Sequence, residues 1–466
     1  MKISKVVRVL LVLIVSISFL PAKQVNAAIT ITSNVTISND ATWGEDIIVT
    51  NGATLTIAPN VTVTVKCSDS PILPRYPYEK DENKVELIIE NGALIADRVT
   101  FQGETPGSCW YGIEILDDGY AEITRSTIRD ARIGITIDRS SALVSSNTLT
   151  NIRGIPIAAD INQRDAKGIF IVDGDDGISI LNNSIDGVHG SQAPINTLPL
   201  AGGVAHGIHV ANTNNITIQG NQIEDIYGGD AGAWMYAAHD GADGRNGDDT
   251  DPTPTPGGNG ARGSDGGPGG NAYGISAYST EGTDTISFKN NSLLRIYAGD
   301  GSNGQWAGNG GKGGNAGNVN SSTAPVDGVA GGVGGTGGIG GAGGGGGDAF
   351  GINLSGVISS INGNQINGLR GGQAGAGGLG GDGGAGGNGG SGSLVRYNTD
   401  PAKWVAAGFG GVGGRGGDAG PAGQSGNGGS AVGVKINTGT LTSFSQNIIF
   451  EISGTQVAVG TPGNSG

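Results

Sequence analysis

The sequence predicts an all-β protein, a parallel β-helix solenoid with glycine-rich arm insertions that emerge from successive coils. Three observations support this prediction. A short asparagine-containing phrase recurs along the chain, a constant length remains between its copies once insertions are removed, and glycine supplies 93 of the 466 residues. Glycine adds no side chain to a core and loses more backbone entropy on folding than any other residue. The length therefore does not indicate three ordinary domains.

The recurring phrase has an asparagine, a spacer, an apolar residue, two spacers and another apolar residue. Its asparagines are Asn147, Asn183, Asn221, Asn291, Asn364 and Asn447. Without the insertions, 20 to 24 residues separate one asparagine from the next. A period in this range, built of short β-branched strands and turns, is typical of one coil of a parallel β-helix. We expect the asparagines to stack as a ladder that satisfies the polar groups of each tight turn.

Alternation of apolar and polar residues also marks the N-terminal half, at 53–65, 85–101, 110–128 and 131–149. With the phrase CWYGIEI at 109–115, this half resembles secreted bacterial proteins of the right-handed parallel β-helix, or pectate-lyase-like, superfamily. The resemblance covers roughly residues 45–190 and the later coil phrases. It implies a right-handed solenoid. It does not specify a function, because the superfamily includes lyases, hydrolases, epimerases, adhesins and structural proteins.

Three long insertions, 227–272, 297–349 and 370–431, hold 63 of the 93 glycines. Their sequences read in triplets with two glycines each, and three residues per turn is the period of polyproline-II-like helices. Each insertion is interrupted midway by bulkier residues, which indicates a turn. We therefore expect a side bundle of polyglycine-II hairpins. The alternative is a set of flexible glycine-rich loops.

Residues 1–27 have the three parts of a secretory signal peptide: early basic residues, a short apolar run and a small residue at Ala27. The apolar run is shorter than the roughly 20 residues needed to cross a bilayer. No later run has that length. We expect a secreted or cell-surface protein without a transmembrane segment. The net charge of −15 argues against nucleic acid as a partner.

Catalysis of the pectate-lyase type would need clustered carboxylates and a nearby basic residue. The densest carboxylates of the predicted solenoid are Asp173, Asp175 and Asp176. Aspartate and glycine are also the residues that tight turns select, and a turn is the favoured interpretation. His189 and His206 each precede a glycine, and without partner motifs we expect them to be surface or turn residues.

The first arm contains five aspartates that could bind Ca²⁺, namely Asp240, Asp243, Asp248, Asp249 and Asp251. They lack the spacing of known calcium loops, so a solvated acidic arm is the favoured alternative. Cys67 and Cys109 are 42 positions apart, about two coils. Outside the cell they could form a disulfide, although two free thiols are also compatible with the sequence.

Aromatic residues of the arms are candidates for stacking on sugar rings: Trp234, Tyr236, Trp306, Tyr397 and Trp404. They could equally cover a bundle that has few other bulky side chains. The leading hypothesis is a non-catalytic extracellular protein with a structural, adhesive or glycan-recognition role and a polysaccharide or cell-surface partner. The alternative is a secreted polysaccharide lyase or hydrolase.

Overall fold

The structure is a computed structural model that describes residues 28–67, 85–107, 109–155, 164–175, 177–193, 200–233, 238–248, 250–319, 326–392, 409 and 411–454. These residues form three parallel sheets of ten strands each. Each coil contributes one strand to every sheet, so the predicted parallel β-helix is confirmed. The predicted signal peptide, 1–27, lies outside the described residues.

In chain order the strands are β1 (Ile29–Ile31), β2 (Val35–Ile37), β3 (Ala41–Trp43), β4 (Ile47–Val49), β5 (Thr54–Ile57), β6 (Thr62–Val65), β7 (Glu86–Glu90), β8 (Ala93–Asp97), β9 (Thr100–Gly103), β10 (Gly112–Leu116), β11 (Tyr120–Thr124), β12 (Thr127–Arg129), β13 (Ile133–Asp138), β14 (Ser141–Ser145), β15 (Thr148–Arg153), β16 (Ala166–Val172), β17 (Ser179–Leu181), β18 (Ser184–His189), β19 (Ala205–Ala211), β20 (Ile216–Gln219), β21 (Gln222–Tyr227), β22 (Ala272–Tyr278), β23 (Thr285–Lys289), β24 (Ser292–Tyr297), β25 (Ala349–Ser355), β26 (Val357–Asn362), β27 (Gln365–Arg370), β28 (Ala431–Ile436), β29 (Gly439–Ser445) and β30 (Ile448–Ser453). The first sheet takes the first strand of each coil, from β1 to β28. The second runs from β2 to β29, and the third from β3 to β30.

The core is the interior of the solenoid. Successive side chains of a strand point to opposite faces, so alternate residues enter the cylinder. In β5 the buried residues are Leu55 and Ile57, and Leu55 pairs with Leu94 of the next coil. Like residues therefore stack in files along the axis. The last coil, β28 to β30, has no coil beyond it in the described residues, and its apolar Phe444 and Ile449 are 50% and 39% exposed.

A file of glycines runs along the first sheet, one in each of the strands β13, β16, β19, β22, β25 and β28. The glycines are Gly134, Gly168, Gly207, Gly274, Gly351 and Gly433. A Cβ on Gly168 would lie 2.5 Å from the carbonyl oxygen of Gly207, and a Cβ on Gly207 would lie 2.6 Å from that of Gly274. Contacts below 3.0 Å leave no space for a side chain, so this position requires glycine in the six coils concerned.

The six phrase asparagines lie in one file, in the turn between the second and third sheets. Five of them use both the backbone N–H and Nδ2 to donate to Oδ1 of the next asparagine, at 2.9 to 3.1 Å. Nδ2 also donates to a core carbonyl; in Asn221 this is the carbonyl of Ile180, at 2.9 Å. The ladder thus satisfies buried polar groups from coil to coil.

The long insertions leave the third sheet and return to the first sheet of the next coil. Their described parts are extended segments, which we call the first arm (outgoing 238–248, returning 252–270), the second arm (outgoing 299–319, returning 328–347) and the third arm (outgoing 371–390, returning 411–429). Backbone hydrogen bonds join neighbouring segments at every third residue, as in the donors Gly241, Gly244 and Gly247. This is the period of a polyproline-II-like helix.

Cys67 and Cys109 form a disulfide with Cα atoms 4.7 Å apart. It links the end of β6 to the segment before β10 and so joins neighbouring coils. No helix of the described residues is long and apolar enough to cross a membrane.

Candidate ligand-binding cleft

An open cleft of about 370 Å³ lies where the third sheet meets the roots of the arms. Its lining residues are His189, Gly190, Gln192, Tyr227, Gly228, Gly229, Asp230, Tyr297, Ala298, Asp300 and Arg370. The set combines aromatic rings, both signs of charge and glycine backbone, a mixture typical of small polar-ligand sites.

Three aromatic rings in contact form one wall of the cleft. His189, Tyr227 and Tyr297 end the successive strands β18, β21 and β24 and pair in register. The rings of His189 and Tyr227 have centroids 4.7 Å apart and planes 15° apart. Those of Tyr227 and Tyr297 are 5.4 Å apart in an edge-to-face arrangement. All three side chains are partly exposed, so the wall faces the cleft.

A left-handed residue at the same position of each strand precedes these rings. Gly187, Asp225 and Arg295 lie two positions before the rings, at equivalent places in the three strands. All three have a positive φ, between 53° and 72°. A residue in this conformation interrupts the regular alternation of side chains along a strand. Here it directs the next residue into the core and the ring outward to the cleft.

Burial and nearby charges set the protonation of the wall. Burial, and then the positive charge of Arg153, lowers the pKa of His189 to about 4, so the imidazole is neutral at pH 7. Burial, and then the carboxylate of Asp225, raises the pKa of Tyr227. Its hydroxyl donates to Asp225 Oδ1 at 3.1 Å. His189 and Tyr227 are therefore uncharged, with Asp225 beside them.

Below the wall lies an acidic group held by one arginine. Arg295 donates through two nitrogens to the two oxygens of Asp225, at 2.7 and 2.8 Å, and also to Glu224 at 2.9 Å. These hydrogen bonds lower the pKa of Asp225. Burial, and then repulsion by Asp225 and Glu224, raises the pKa of Asp186. The pKa values of the neighbouring carboxyls Asp186 and Asp225 are thus shifted in opposite directions.

A second polar cluster lies on the outer face of the first sheet. Ser276 Oγ is 2.8 Å from His206 Nδ1 and 2.6 Å from His209 Nδ1. A hydroxyl has one proton, so it donates to one imidazole and accepts from the other, and the two rings hold different tautomers. The ring of His206 also stacks on Tyr273 at 4.6 Å.

Burial depresses the pKa of both histidines. His206 is 8% exposed, and its pKa lies well below the ordinary value because of burial, then His209 and Lys167. Burial, and then Lys167, lowers the pKa of His209 to about 3. The expectation that His206 is a surface or turn residue is therefore wrong, since it is buried within β19. His189 ends β18, and its side chain is partly exposed at the cleft.

Two of the predicted catalytic carboxylates, Asp173 and Asp175, lie in the described part of the connection between β16 and β17. Asp173 has a φ of 46°, and its N–H donates to the Ala211 carbonyl at 3.0 Å. The N–H of Asp175 donates to the Ser140 carbonyl. Asp176 lies outside the described residues. Neither of the two described aspartates lines the cleft, and the structure does not bring them to its wall.

The predicted calcium ligands do not converge in the described residues. Asp240 and Asp243 each accept a backbone N–H of the second arm, at 2.6 and 2.8 Å. Asp248 accepts bonds from Thr250 and from the N–H of Asp251. Asp249 lies outside the described residues. No group of three His, Cys, Asp or Glu side chains within the described ranges is arranged to hold a metal ion.

Of the predicted arm aromatics, Trp306 is described. It lies on the outgoing segment of the second arm and is 60% exposed. The remaining members of that set lie outside the described residues: Trp234, Tyr236, Tyr397 and Trp404.

Sequence reasoning missed the cleft wall. Its signal is positional: the sixth residue after a ladder asparagine is His189, Tyr227 or Tyr297 in three successive copies, with Arg153 before them and Arg370 after them. Extending the alignment of the asparagine phrases by one residue at their C-terminal end would have revealed this file.

A family model described as "Right handed beta helix region" matches residues 90–242. The A-module of the Azotobacter vinelandii mannuronan C-5 epimerase AlgE6 is 11% identical, with a TM-score of 0.25 over 72% of this chain and 86% of that chain. The periplasmic alginate epimerase AlgG is 12% identical, with a TM-score of 0.26 over 73% of this chain and 72% of that chain. Tailspike protein 3 of bacteriophage CBA120 is 12% identical, with a TM-score of 0.15 over 87% of this chain and 57% of that chain. No curated protein sequence matches the chain.

Proposed function

We propose that this protein is a non-catalytic, extracellular glycan-recognition module that binds saccharide units in the cleft at the arm roots. The observation that carries the proposal is the wall of three contacting rings, His189, Tyr227 and Tyr297, in an open cleft. Sugar rings present apolar C–H faces and polar hydroxyl edges. An aromatic wall with charged groups at its border supplies both kinds of contact.

The charges of the cleft support a hydroxyl-rich ligand. Asp230 and Asp300 each use one carboxylate oxygen to accept a backbone N–H, at 2.8 and 2.6 Å. These bonds fix the carboxylates at the cleft border. Arg370 follows Tyr297 in the same file and is exposed. Donors and acceptors therefore lie on both sides of the ring wall.

The test is retention of the protein on a panel of immobilised neutral and acidic polysaccharides, scored together with released products. We expect Tyr227→Ala and Tyr297→Ala to weaken retention about tenfold or more, the loss typical of an interface aromatic anchor. The matched control is Tyr120→Ala, since Tyr120 is 40% exposed on the second sheet, away from the cleft. Equal retention of all three variants would reject the cleft as the site.

The arms offer a different glycan surface, and the same panel separates the two. If Trp306→Ala abolishes retention while Tyr227→Ala does not, the ligand binds the arm bundle instead. Retention by neither the wild-type protein nor the variants would reject glycan recognition as the function.

A second candidate function is hydrolysis of a glycosidic bond by two carboxyls that lie beside the ring wall and outside the cleft lining, Asp186 and Asp225. It is favoured by the opposite pKa shifts of Asp186 and Asp225, since an acid–base pair needs one carboxyl protonated and one ionised. Product release that disappears in Asp186→Asn would support this alternative. Retention without products supports recognition alone.

A further inference from the structure

The arm bundle is a lattice with two columns. The outgoing segments of the first, second and third arms follow one another in one column, and the returning segments follow one another in the other. Hydrogen bonds between the columns join antiparallel segments, such as the bond from the N–H of Gly311 to the carbonyl of Gly258, at 2.8 Å. The segments are therefore hydrogen-bonded both along their own column and to the opposite column.

Hydrogen bonds along the columns have one direction. In the outgoing column the N–H of Gly244 donates to the carbonyl of Lys312 at 2.7 Å. In the returning column the N–H of Gly337 donates to the carbonyl of Asp418 at 2.9 Å. Every such bond runs from an earlier arm to a later one. The bundle therefore has a donor edge at one end and an acceptor edge at the other.

The donor edge is the outer side of the third arm. Its returning segment carries the amides that correspond to the donors of the second arm: Gly416, Ala419, Ala422, Ser425 and Gly428. Within the described residues these amides have no hydrogen-bond partner, and all five residues are partly exposed. They recur every third residue, roughly 9 Å apart along a polyproline-II-like helix. Like an edge strand, such a row is a template for another chain.

The acceptor edge is the outer side of the first arm. The carbonyls that correspond to the acceptors of the later arms are those of Asp240, Asp243, Asn246, Asn259 and Arg262. None of these five carbonyls accepts a hydrogen bond within the described part of the chain. Their spacing is again three residues. The two edges of one molecule are therefore complementary in chemistry and in period.

We propose that the donor edge of the third arm binds the acceptor edge of the first arm of a second copy. The second copy is rotated by 180° about the axis along which the arms stack. This rotation exchanges its two columns and reverses the direction of their segments. Its outgoing segment, with the carbonyls of Asp240, Asp243 and Asn246, then lies parallel to the returning segment of the third arm, as in the bonds within each column. The same turn places the second solenoid on the opposite side of the bundle, away from the first.

The contact is heterologous, since one edge meets a different edge. Each added copy presents a new donor edge, so the assembly does not close and grows as a chain of copies. Its hydrogen bonds are of the kind that joins one arm to the next within a column.

The test removes backbone N–H donors of the donor edge without changing the backbone conformation. In Ala419→Pro/Ala422→Pro the proline ring fits the polyproline-II-like conformation and lacks the N–H. The matched control is Ala419→Ser/Ala422→Ser, which keeps both amides. Sedimentation velocity of the full chain over a concentration series is the measurement.

We expect the wild-type protein and the serine control to form species larger than dimers as concentration rises. We expect the proline variant to associate about tenfold more weakly, since two neutral hydrogen bonds are lost. Circular dichroism that matches the wild type shows that the variant has folded. A wild-type protein that stays monomeric, or a proline variant that associates equally, would overturn the proposal.

A mixing experiment tests the direction of the contact. The proline variant keeps its acceptor edge, so it can join a growing chain, but its weakened donor edge binds the next copy about tenfold more weakly. Added to the wild-type protein, it should shorten the assemblies, whereas the serine control should not. Assemblies that stop at a dimer indicate a symmetric contact and would also reject the proposal.

Discussion

Asn183 is joined to Asn221 by two hydrogen bonds that end on one atom. The backbone N–H and Nδ2 of Asn183 donate to Oδ1 of Asn221 at 2.9 and 3.0 Å. Asn221 repeats the arrangement with Asn291, at 3.0 Å for both bonds. Each asparagine is thus acceptor for one coil and donor to the next, and removal of one affects two turns.

Replacing Asn221 by Ala should destabilise the solenoid strongly. The change removes the partner of both donors of Asn183 and of the Ile180 carbonyl, and Asn221 itself is only 1% exposed. We expect a loss of about 3 kcal/mol in the free energy of unfolding. Urea denaturation measures it. The control is Asn388→Ala on the exposed face of the third arm, for which we expect a change within about 0.5 kcal/mol. Equal losses in both variants would contradict a special role of the ladder.

Replacing Gly207 by Ala should also destabilise the protein, for a steric reason. The new Cβ would lie 2.6 Å from the Gly274 carbonyl oxygen, which belongs to the backbone and cannot easily shift. We expect a loss of about 2 kcal/mol or more in a denaturation series. At Gly345 a Cβ would meet one atom, the Asn427 carbonyl oxygen, at 3.5 Å. Gly345→Ala should therefore be tolerated, and a large loss there would refute the steric explanation.

Acidification should weaken the fold through its buried histidines. The folded-state pKa of His209 is about 3, below the 6.5 of an unperturbed histidine, so the unfolded chain binds the extra proton first. The stabilisation is complete above about pH 6.5 and decreases as the pH falls toward 3. His209→Asn should flatten this dependence by up to about 1.4 kcal/mol per pH unit. Chemical denaturation between pH 7 and 5 measures it, and an unchanged slope would contradict the assignment.

Removal of the disulfide should lower stability without unfolding the last coils. Cys67 and Cys109 close a loop of 42 positions, and loop-closure entropy gives about 4 kcal/mol for that length. The double change to Ser tests this without leaving a free thiol. Thermal unfolding of the variant is compared with that of the wild-type protein with its disulfide intact. Equal transition temperatures would show that the disulfide contributes nothing to stability.

The fold was predictable because its signal is periodic. The asparagine phrase keeps its length through insertions of very different size, and a solenoid needs a constant coil. The ring wall was not predictable in the same way. Tyr227 and Tyr297 are 70 positions apart, and their contact arises from the register of β21 and β24 rather than from local pattern. The polarity of the arm hydrogen bonds is likewise a property of the assembled backbone, which triplet composition does not encode.

The three-residue spacing of the arm hydrogen bonds limits how the arms can change in length. Inserting one residue in the returning segment of the second arm would move every later amide off its acceptor, whereas three residues would restore the alignment. Length variation compatible with the lattice therefore comes in steps of nine nucleotides of coding sequence. Variants of this gene should differ in arm length by multiples of three residues, even where the residues between the glycines differ freely.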